Sequence, residues 1–414
     1  MKKCSFCHRS EQDVEILIDG IDGHICNNCV EIAYEIIQRE DEVKSKSKTD
    51  NKSFLDKKLL KPKEIKVFLD EYLIGQDDAK KILSVAVYNH YKRLSQDKIK
   101  VKKDEVEIEK SNIILVGETG TGKTLFARTI AKMLKVPFAI VDATVLTEAG
   151  YVGEDVESLL VRLLQSANYD IELAEKGIVF IDEIDKIARK SDNPSITRDV
   201  AGEGVQQGLL KLLEGSVVNV PPQGGRKHPD QKYISINTKH ILFICGGAFD
   251  GIERKIANRL NTKLVGYSAV KNSDQIDTKN LLQYIAPQDL KSFGLIPEIV
   301  GRLPILGFLN PLDKEILKKI LYEPKNSIIK QYEYLFKMDK INLSFDANVY
   351  DFIVNKAMEF KLGARGLRSI CEAIMLDAMF ELPSKTKKVT DFTVTLEYAK
   401  EKVLKTNKSR LKAV

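Results

Sequence analysis

Three groups of residues in this chain have the types and spacing to do chemistry. The first is a set of cysteines. Four of the six fall within the first 29 residues as two pairs, Cys4-x-x-Cys7 and Cys26-x-x-Cys29, separated by 18 residues. Clustered pairs of this kind point to a metal rather than to disulfides. Four thiolates satisfy tetrahedral Zn²⁺ with no open position, so the site reads as structural. A unit of ~40 residues rarely holds a core unaided, and a bound metal supplies the missing folding energy. Residues 16–18 followed by Asp19-Gly20 suit a hairpin between the pairs. His8 reads as a bystander. Cys245 and Cys371 stand alone in apolar surroundings and read as buried small hydrophobes.

The second group is Gly117-Glu118-Thr119-Gly120-Thr121-Gly122-Lys123-Thr124, which completes the pattern G-x-x-x-x-G-K-[ST]. It follows an apolar strand-like run (113–116) and opens an apolar helical run (124–134), the context a phosphate-binding loop requires. The glycines let backbone N–H groups wrap phosphates, and the helix N-terminus adds its dipole. Lys123 neutralises the β/γ charge of a bound nucleoside triphosphate and Thr124 holds Mg²⁺.

The third group lies 55 residues beyond Lys123, where Ile178 begins an apolar strand that ends in Asp182-Glu183. A carboxylate at a strand tip can hold the water shell of Mg²⁺, a role that falls to Asp182. The next carboxylate can orient and deprotonate an attacking water, a role that falls to Glu183. Asp185 reads as a structural or loop acid.

These groups need elements to hold them. Residues 1–42 read as a compact zinc-binding domain and 43–60, rich in Lys, Ser and Asp, as a flexible linker. From residue 61 strand-like runs alternate with helical periodicity, the sign of an α/β domain with a parallel sheet. The runs at 113–116, 138–141, 178–181 and 241–244 read as buried strands. Val156, Leu159, Leu160, Leu163 and Leu164 keep the spacing of one buried face of a helix over 155–167. The Gly- and Pro-rich stretch 189–238 holds a helix near 204–214 with loops on both sides, and 271–280 reads as an exposed loop. The large domain runs 61–310. A small α+β domain follows over 311–414, with helices at 313–337, 346–359 and 364–381, a strand near 389–397, and a frayed basic tail.

Bulk properties bound the classes. Apolar residues make up 43 % and charged residues 30 %, with a net charge of +6. That charge permits nucleic-acid contact without arguing for it. No apolar run approaches the ~20 residues of a membrane span. The opening Met1-Lys2-Lys3-Cys4 lacks the apolar stretch of a secretory signal, and the expectation is a cytoplasmic protein of bacterial type, with an organelle matrix as the alternative.

The phosphate loop, the Asp-Glu strand and the helical C-terminal part together resemble the AAA+ ATPases. Further residues resemble the Clp/Hsp100 unfoldases, and with the four-cysteine domain added the resemblance extends over the whole chain to the ClpX family. Tyr72-Leu73-Ile74-Gly75-Gln76 is similar to that family's adenine-contacting segment, which assigns Ile74 and Gly75 to the nucleotide. Gly150-Tyr151-Val152-Gly153 is similar to its pore loop, with Tyr151 and Val152 gripping substrate. Residues 294–302 match the segment ending in the arginine finger, Arg302, and residues 363–368 the sensor-2 motif, with Arg365.

Residues 191–204 match a second pore loop, and Arg226-Lys227-His228 the basic loop at the pore entrance. Leu264-Val265-Gly266-Tyr267 stands where the family places an apolar docking tripeptide for the ClpP peptidase. Tyr267 replaces the family's usual phenylalanine, which bears on the strength of that docking. The strand at 241–244 ends in Cys245-Gly246-Gly247, and no sensor-1 residue is assigned there.

The implied fold is an α/β P-loop AAA+ large domain with a parallel sheet. It carries a small, mostly helical α+β C-terminal domain and an N-terminal treble-clef or ribbon-like zinc domain. The implied protein is a homohexameric ATP-dependent unfoldase that translocates tagged substrates, some delivered by adaptors, to ClpP. Its zinc domain is expected to self-associate. No peptidase constellation is present in the sequence. The alternative is a nucleic-acid remodelling AAA+ motor gripping DNA or RNA through the zinc unit and basic linker. Its mark would be steep loss of function with salt.

Overall fold

The computed structural model describes residues 2–32, 34, 59–96, 106, 108–147, 153–189, 202–221, 233–263, 277, 280–360, 363–384 and 390–411. The pore-loop residues Tyr151 and Val152, the basic loop Arg226-Lys227-His228, and the docking loop Leu264–Tyr267 lie outside the described residues. So do all but the last three residues of the second pore-loop segment. The chain divides into two compact units, 1–58 and 59–414.

In the first unit a short hairpin joins β1 (Leu17–Asp19) to β2 (His24–Cys26), antiparallel, with Leu17 opposite Cys26. Its turn closes through the Gly20 N–H donating to Gly23 O at 2.7 Å. The strand lies one residue later than the sequence suggested. Residues 27–32 are helical.

The second unit is built on a five-stranded sheet. Its strands are β3 (Ile113–Val116), β4 (Phe138–Asp142), β5 (Ile178–Asp182), β6 (Leu242–Gly247) and β7 (Ile305–Phe308). All pairings are parallel, in the order β7-β3-β6-β5-β4. The three central strands are apolar on both faces. Ile113–Val116 and Ile178–Ile181 are fully buried, as a sheet covered by helices on both sides requires. β6 runs to Gly247, three residues past the expected end at 244.

Two helices, α1 (Pro62–Asp70) and α2 (Asp77–Gln96), precede the sheet. α3 (Lys123–Leu134) leaves the phosphate loop. α4 (Ser158–Ser166) buries Leu159, Leu160, Leu163 and Leu164 completely; it begins three residues later than the periodicity alone indicated. α5 (Glu203–Glu214), α6 (Ile252–Lys263), α7 (Pro287–Phe293) and α8 (Pro297–Arg302) also belong to this part.

After residue 311 the core changes. The expected helix 313–337 is two helices, α9 (Lys314–Tyr322) and α10 (Ile328–Met338). Pro324 cannot continue the first, and Ser327 caps the second by accepting from Lys330 N–H at 3.3 Å. α11 (Ala347–Glu359) and α12 (Gly363–Glu381) follow as expected. β8 (Asn342–Phe345) pairs in parallel with β9 (Asp391–Val394), where a strand was expected near 389–397. The frayed tail is corrected: residues 396–411 form α13 (Leu396–Leu411). Ala399 and Val403 are buried against α12, and Lys402 pairs with Asp377. Those apolar contacts turn a basic segment into a docked helix. Leu317, Leu321, Val349, Ile353, Ile374 and Ala399 share one core, separate from that of the sheet. Among the described residues no helix is long and apolar enough to cross a membrane.

Candidate functional site

The phosphate loop links the C-terminal end of β3 to the start of α3. Gly122 holds φ of 105°, a left-handed turn that frees the first N–H groups of α3 to face the loop. Gly117 is glycine for a second reason. A Cβ there would stand 2.9 Å from Leu309 Cβ and 3.0 Å from Leu309 O. Lys123 is mostly buried, and its ammonium donates to the carbonyls of Gly117 and Glu118. Burial lowers its pKa, and the carboxylates of Asp182 and Asp185 act against that drop.

β5 ends beside this loop. Thr124 Oγ1 donates to Asp182 Oδ2 at 2.8 Å, and Glu183 N–H donates to Asp182 Oδ1 at 3.0 Å. Asp182 is therefore fixed from both sides. Glu183 sits at φ 56°, ψ 34°, left-handed although it is not glycine. Such a conformation costs of order 1 kcal/mol or more and persists only where the surroundings impose it. It turns the chain sharply at the strand tip and leaves Glu183 exposed on the wall of a cleft. That cleft is lined by Gly120, Lys123, Thr124, Asp182, Glu183 and Arg365 among others.

Arg365 reaches the cleft from α12, in the part of the unit with the second core. The approach is close: a Cβ on Gly363 would stand 3.4 Å from Thr119 O. The cleft thus lies between the two cores, and its walls belong to both. Arg365 and Lys123 are 242 positions apart, and no local spacing announces their juxtaposition.

Ile74 and Gly75 stand at the junction rather than on the phosphate wall. Leu73 Cδ2 lies 3.6 Å from where a Gly122 Cβ would be, and Ile316 Cδ1 lies 3.7 Å from where a Gly75 Cβ would be. The segment is wedged between the phosphate loop and α9. Lys80, 3 % exposed, pins the turn by donating to Leu73 O and Asp70. Gln76 was not singled out from the sequence, yet it clamps the junction. Its amide donates to Asn310 O and accepts from Asn310 N–H, both at 2.8 Å. The only advance signal was its place in the 72–76 segment, since the partner is 234 residues away.

Asp185 does have the structural role expected. It is 6 % exposed, and its Oδ1 accepts from Ala248 N–H at 3.1 Å. A Cβ on Gly247 would come within 2.8 Å of that same oxygen. The glycines that end β6 make room for a buried carboxylate from the neighbouring strand tip.

Arg302 does not line this chain's own cleft. It ends α8, exposed, with Nη2 2.9 Å and Nε 3.2 Å from Glu214 Oε1. Among the described residues its guanidinium meets Glu214, and Arg302 is not among the residues lining the cleft.

In the first unit the four cysteine sulfurs lie within 4.8 Å of one another. Cys4 and Cys26 are buried, and Cys26 N–H points at Cys4 Sγ, 3.3 Å away. Burial works against ionising Cys4, but N–H groups of Cys7, Phe6 and Cys26 outweigh it and bring its pKa down to about 6. Cys29 goes the other way, pushed up to about 12 by burial and by the sulfurs of Cys26, Cys7 and Cys4. Four converging thiols cannot all ionise without a cation among them, and a tetrahedral Zn²⁺ meets that need. His8 is not part of the cluster.

Comparison with known proteins agrees along the whole chain. Residues 2–39 match the family model for the ClpX C4-type zinc finger. Residues 108–306 match the AAA domain (Cdc48 subfamily), and residues 312–396 the C-terminal, D2-small domain of ClpB protein. A protein of Bacteroides thetaiotaomicron is 68 % identical over 410 residues, covering 99 % of this chain and 98 % of that protein. One from Bacteroides fragilis is 68 % identical over 410 residues, covering 99 % and 97 %. One from Porphyromonas gingivalis is 67 % identical over 385 residues, covering 93 % and 92 %. Each of the three is named ATP-dependent Clp protease ATP-binding subunit ClpX.

Proposed function

The chain belongs to the ClpX family of AAA+ ATPases, and from that premise we propose that it unfolds tagged proteins with ATP and feeds them to the ClpP peptidase. The observation that carries the reading is the cleft itself, where the phosphate loop, Asp182, Glu183 and Arg365 meet on walls belonging to two cores.

ATP is the substrate. Its phosphates would meet backbone N–H groups of the phosphate loop and the start of α3, with Lys123 answering their charge. Thr124 and Asp182 would hold Mg²⁺, which supplies charge neutralisation at the β/γ oxygens when bound. Glu183, exposed on the cleft wall, takes a proton from the attacking water. Arg365 ties α12 to the nucleotide. Loss of the γ-phosphate then changes what holds the two parts together, and the junction at Gln76 and Asn310 is where the change is felt.

The working form is a homohexamer. Arg302, exposed and outside its own cleft, is placed to serve the site of an adjacent subunit. Its planar set of donors suits the charge spread over a phosphoryl group in transit. In this reading Tyr151 and Val152 grip the substrate chain, and Arg226, Lys227 and His228 attract acidic tails at the entrance. Leu264 to Tyr267 dock on ClpP. We place the domains at 1–42, 61–310 and 311–414, with 43–60 as the linker. Zn²⁺ at Cys4, Cys7, Cys26 and Cys29 stabilises the first of these, which takes part in self-association and adaptor contact. Bacterial cytoplasm is the setting. The matched relatives give the nucleic-acid alternative no support.

The test is reconstitution. A tagged folded substrate is mixed with this protein, ClpP and either ATP or ADP, and acid-soluble peptides are counted. Peptides that require all three of ATP, ClpP and this chain support the reading. Peptides released by this chain without ClpP, or by ClpP alone at the same rate, contradict it.

A further inference from the structure

Asn112 is 1 % exposed and uncharged, yet it holds two helix ends at once. Its Nδ2 donates to Arg302 O at 2.9 Å and to Leu213 O at 3.0 Å. These carbonyls belong to the last turns of α8 and α5, which the helices cannot satisfy internally. The backbone carbonyl of Asn112 in turn receives the Ile305 N–H at 3.4 Å, at the start of β7. Lys110, two residues earlier, works beside it by donating to Leu212 O and Thr238 O. Asn112 also stands directly before β3, and β3 ends at Val116, the residue before Gly117, which opens the phosphate loop.

The two ends of Arg302 are held differently. Its guanidinium meets Glu214 in an ion pair whose members are 53 % and 43 % exposed, and such a pair restrains little. Its backbone is held by a buried amide whose removal takes the donor from one buried and one partly buried carbonyl. The guanidinium is thus free to leave Glu214 while the point it pivots on stays fixed.

We propose that Asn112 is a positioning residue for Arg302. It registers the arginine offered to the next subunit against the strand that carries the first subunit's own phosphate loop. The inference rests on Arg302 acting in trans, as read above.

The experiment uses mixed rings of the full chain. Glu183→Gln subunits, whose own sites are silent, are mixed in equal number with unaltered subunits, and ATP turnover per unaltered subunit is measured. The same is done with subunits carrying Asn112→Ala as well as Glu183→Gln. The altered subunits contribute no turnover in either mixture, so damage to their own sites is not read. Turnover per unaltered subunit should fall a further twofold or so with Asn112→Ala. Half of the unaltered sites then face an altered neighbour, and misplacement by about 1 Å costs roughly 100-fold.

Equal turnover in the two mixtures, with sedimentation showing equal incorporation, overturns the proposal. Subunits carrying Arg302→Ala with Glu183→Gln are the control. If they too cause no further loss, the trans reading of Arg302 fails and takes the proposal with it. If they do and Asn112→Ala does not, the proposal alone fails. Should Asn112→Ala be excluded from rings, Asn112→Ser, which keeps one donor, is read in the same way with a smaller further loss expected. No further loss with that variant overturns the proposal.

Discussion

Thr124 Oγ1 donates to Asp182 Oδ2 at 2.8 Å across 58 residues of sequence, so the phosphate loop and the acid-bearing strand tip are already registered to each other. The same two groups are the ones Mg²⁺ would need. Thr124→Ala removes one of them and loosens the other. The concentration of Mg²⁺ giving half-maximal ATP turnover should rise about 10- to 100-fold, the usual cost of losing an orienting partner at a metal. Magnesium titrations at saturating ATP check this, and an unchanged midpoint would mean that Thr124 is not part of the metal's surroundings.

Glu183 is exposed on the cleft wall, and its backbone bonds to Asp182. Glu183→Gln keeps shape and hydrogen bonding but removes the base. ATP turnover should fall roughly 100- to 10,000-fold with nucleotide affinity changed by less than a few-fold. Phosphate release and binding of a fluorescent nucleotide separate the two effects. Near-normal turnover would remove Glu183 as the base.

His90 lies 5 % exposed against the ring of Tyr91, at an interplanar angle of 82°. Burial first, then the charges of Arg93 and Lys110, push its pKa down to about 3 from 6.5. The folded protein therefore binds fewer protons than the unfolded chain between those values. This contribution to stability is present above pH 6.5 and is lost as pH falls towards 3, by about 1.4 kcal/mol per pH unit. His90→Leu should flatten that dependence. Between pH 7 and 5 the thermal unfolding midpoint of the unaltered protein should fall by more than that of His90→Leu; parallel curves would contradict a buried neutral imidazole.

Removal of zinc should act locally. The converging sulfurs of Cys4, Cys7, Cys26 and Cys29 leave little else to hold the hairpin of β1 and β2, whose Ile16, Ile18 and Ile21 are exposed. A chelator should unfold the first unit, visible as loss of hydrogen-exchange protection in residues 2–32. Basal ATP turnover should stay within about twofold, because the sheet and cleft have their own core. Loss of turnover together with zinc would show that the two units are coupled.

The features read well from the sequence are those set by neighbours in the chain. A phosphate loop needs eight consecutive residues, and each cysteine pair needs four. The buried strands 113–116 and 178–181 show as unbroken apolar runs because both faces are covered.

What escaped is what the chain closes over long distances. Gln76 with Asn310 and Asn112 with Arg302 are separated by 234 and 190 residues, and no spacing encodes them. Arg365 beside Lys123, 242 residues apart, follows from the family resemblance and not from any spacing. Local chemistry was also misjudged twice. Pro324 was not given its weight as a helix breaker. The basic tail was read by its lysines rather than by Ala399 and Val403, which bury it.

The central claim is that hydrolysis in the cleft between the two cores does mechanical work on another protein. It is tested most directly with a stable fluorescent protein bearing an unstructured tag, in the presence of this chain, ATP and a trap that captures unfolded molecules. Native fluorescence should disappear at a rate that depends on ATP hydrolysis and vanishes with Glu183→Gln. Brisk ATP turnover with no loss of fluorescence, across several tags and in the presence of adaptors, would contradict it.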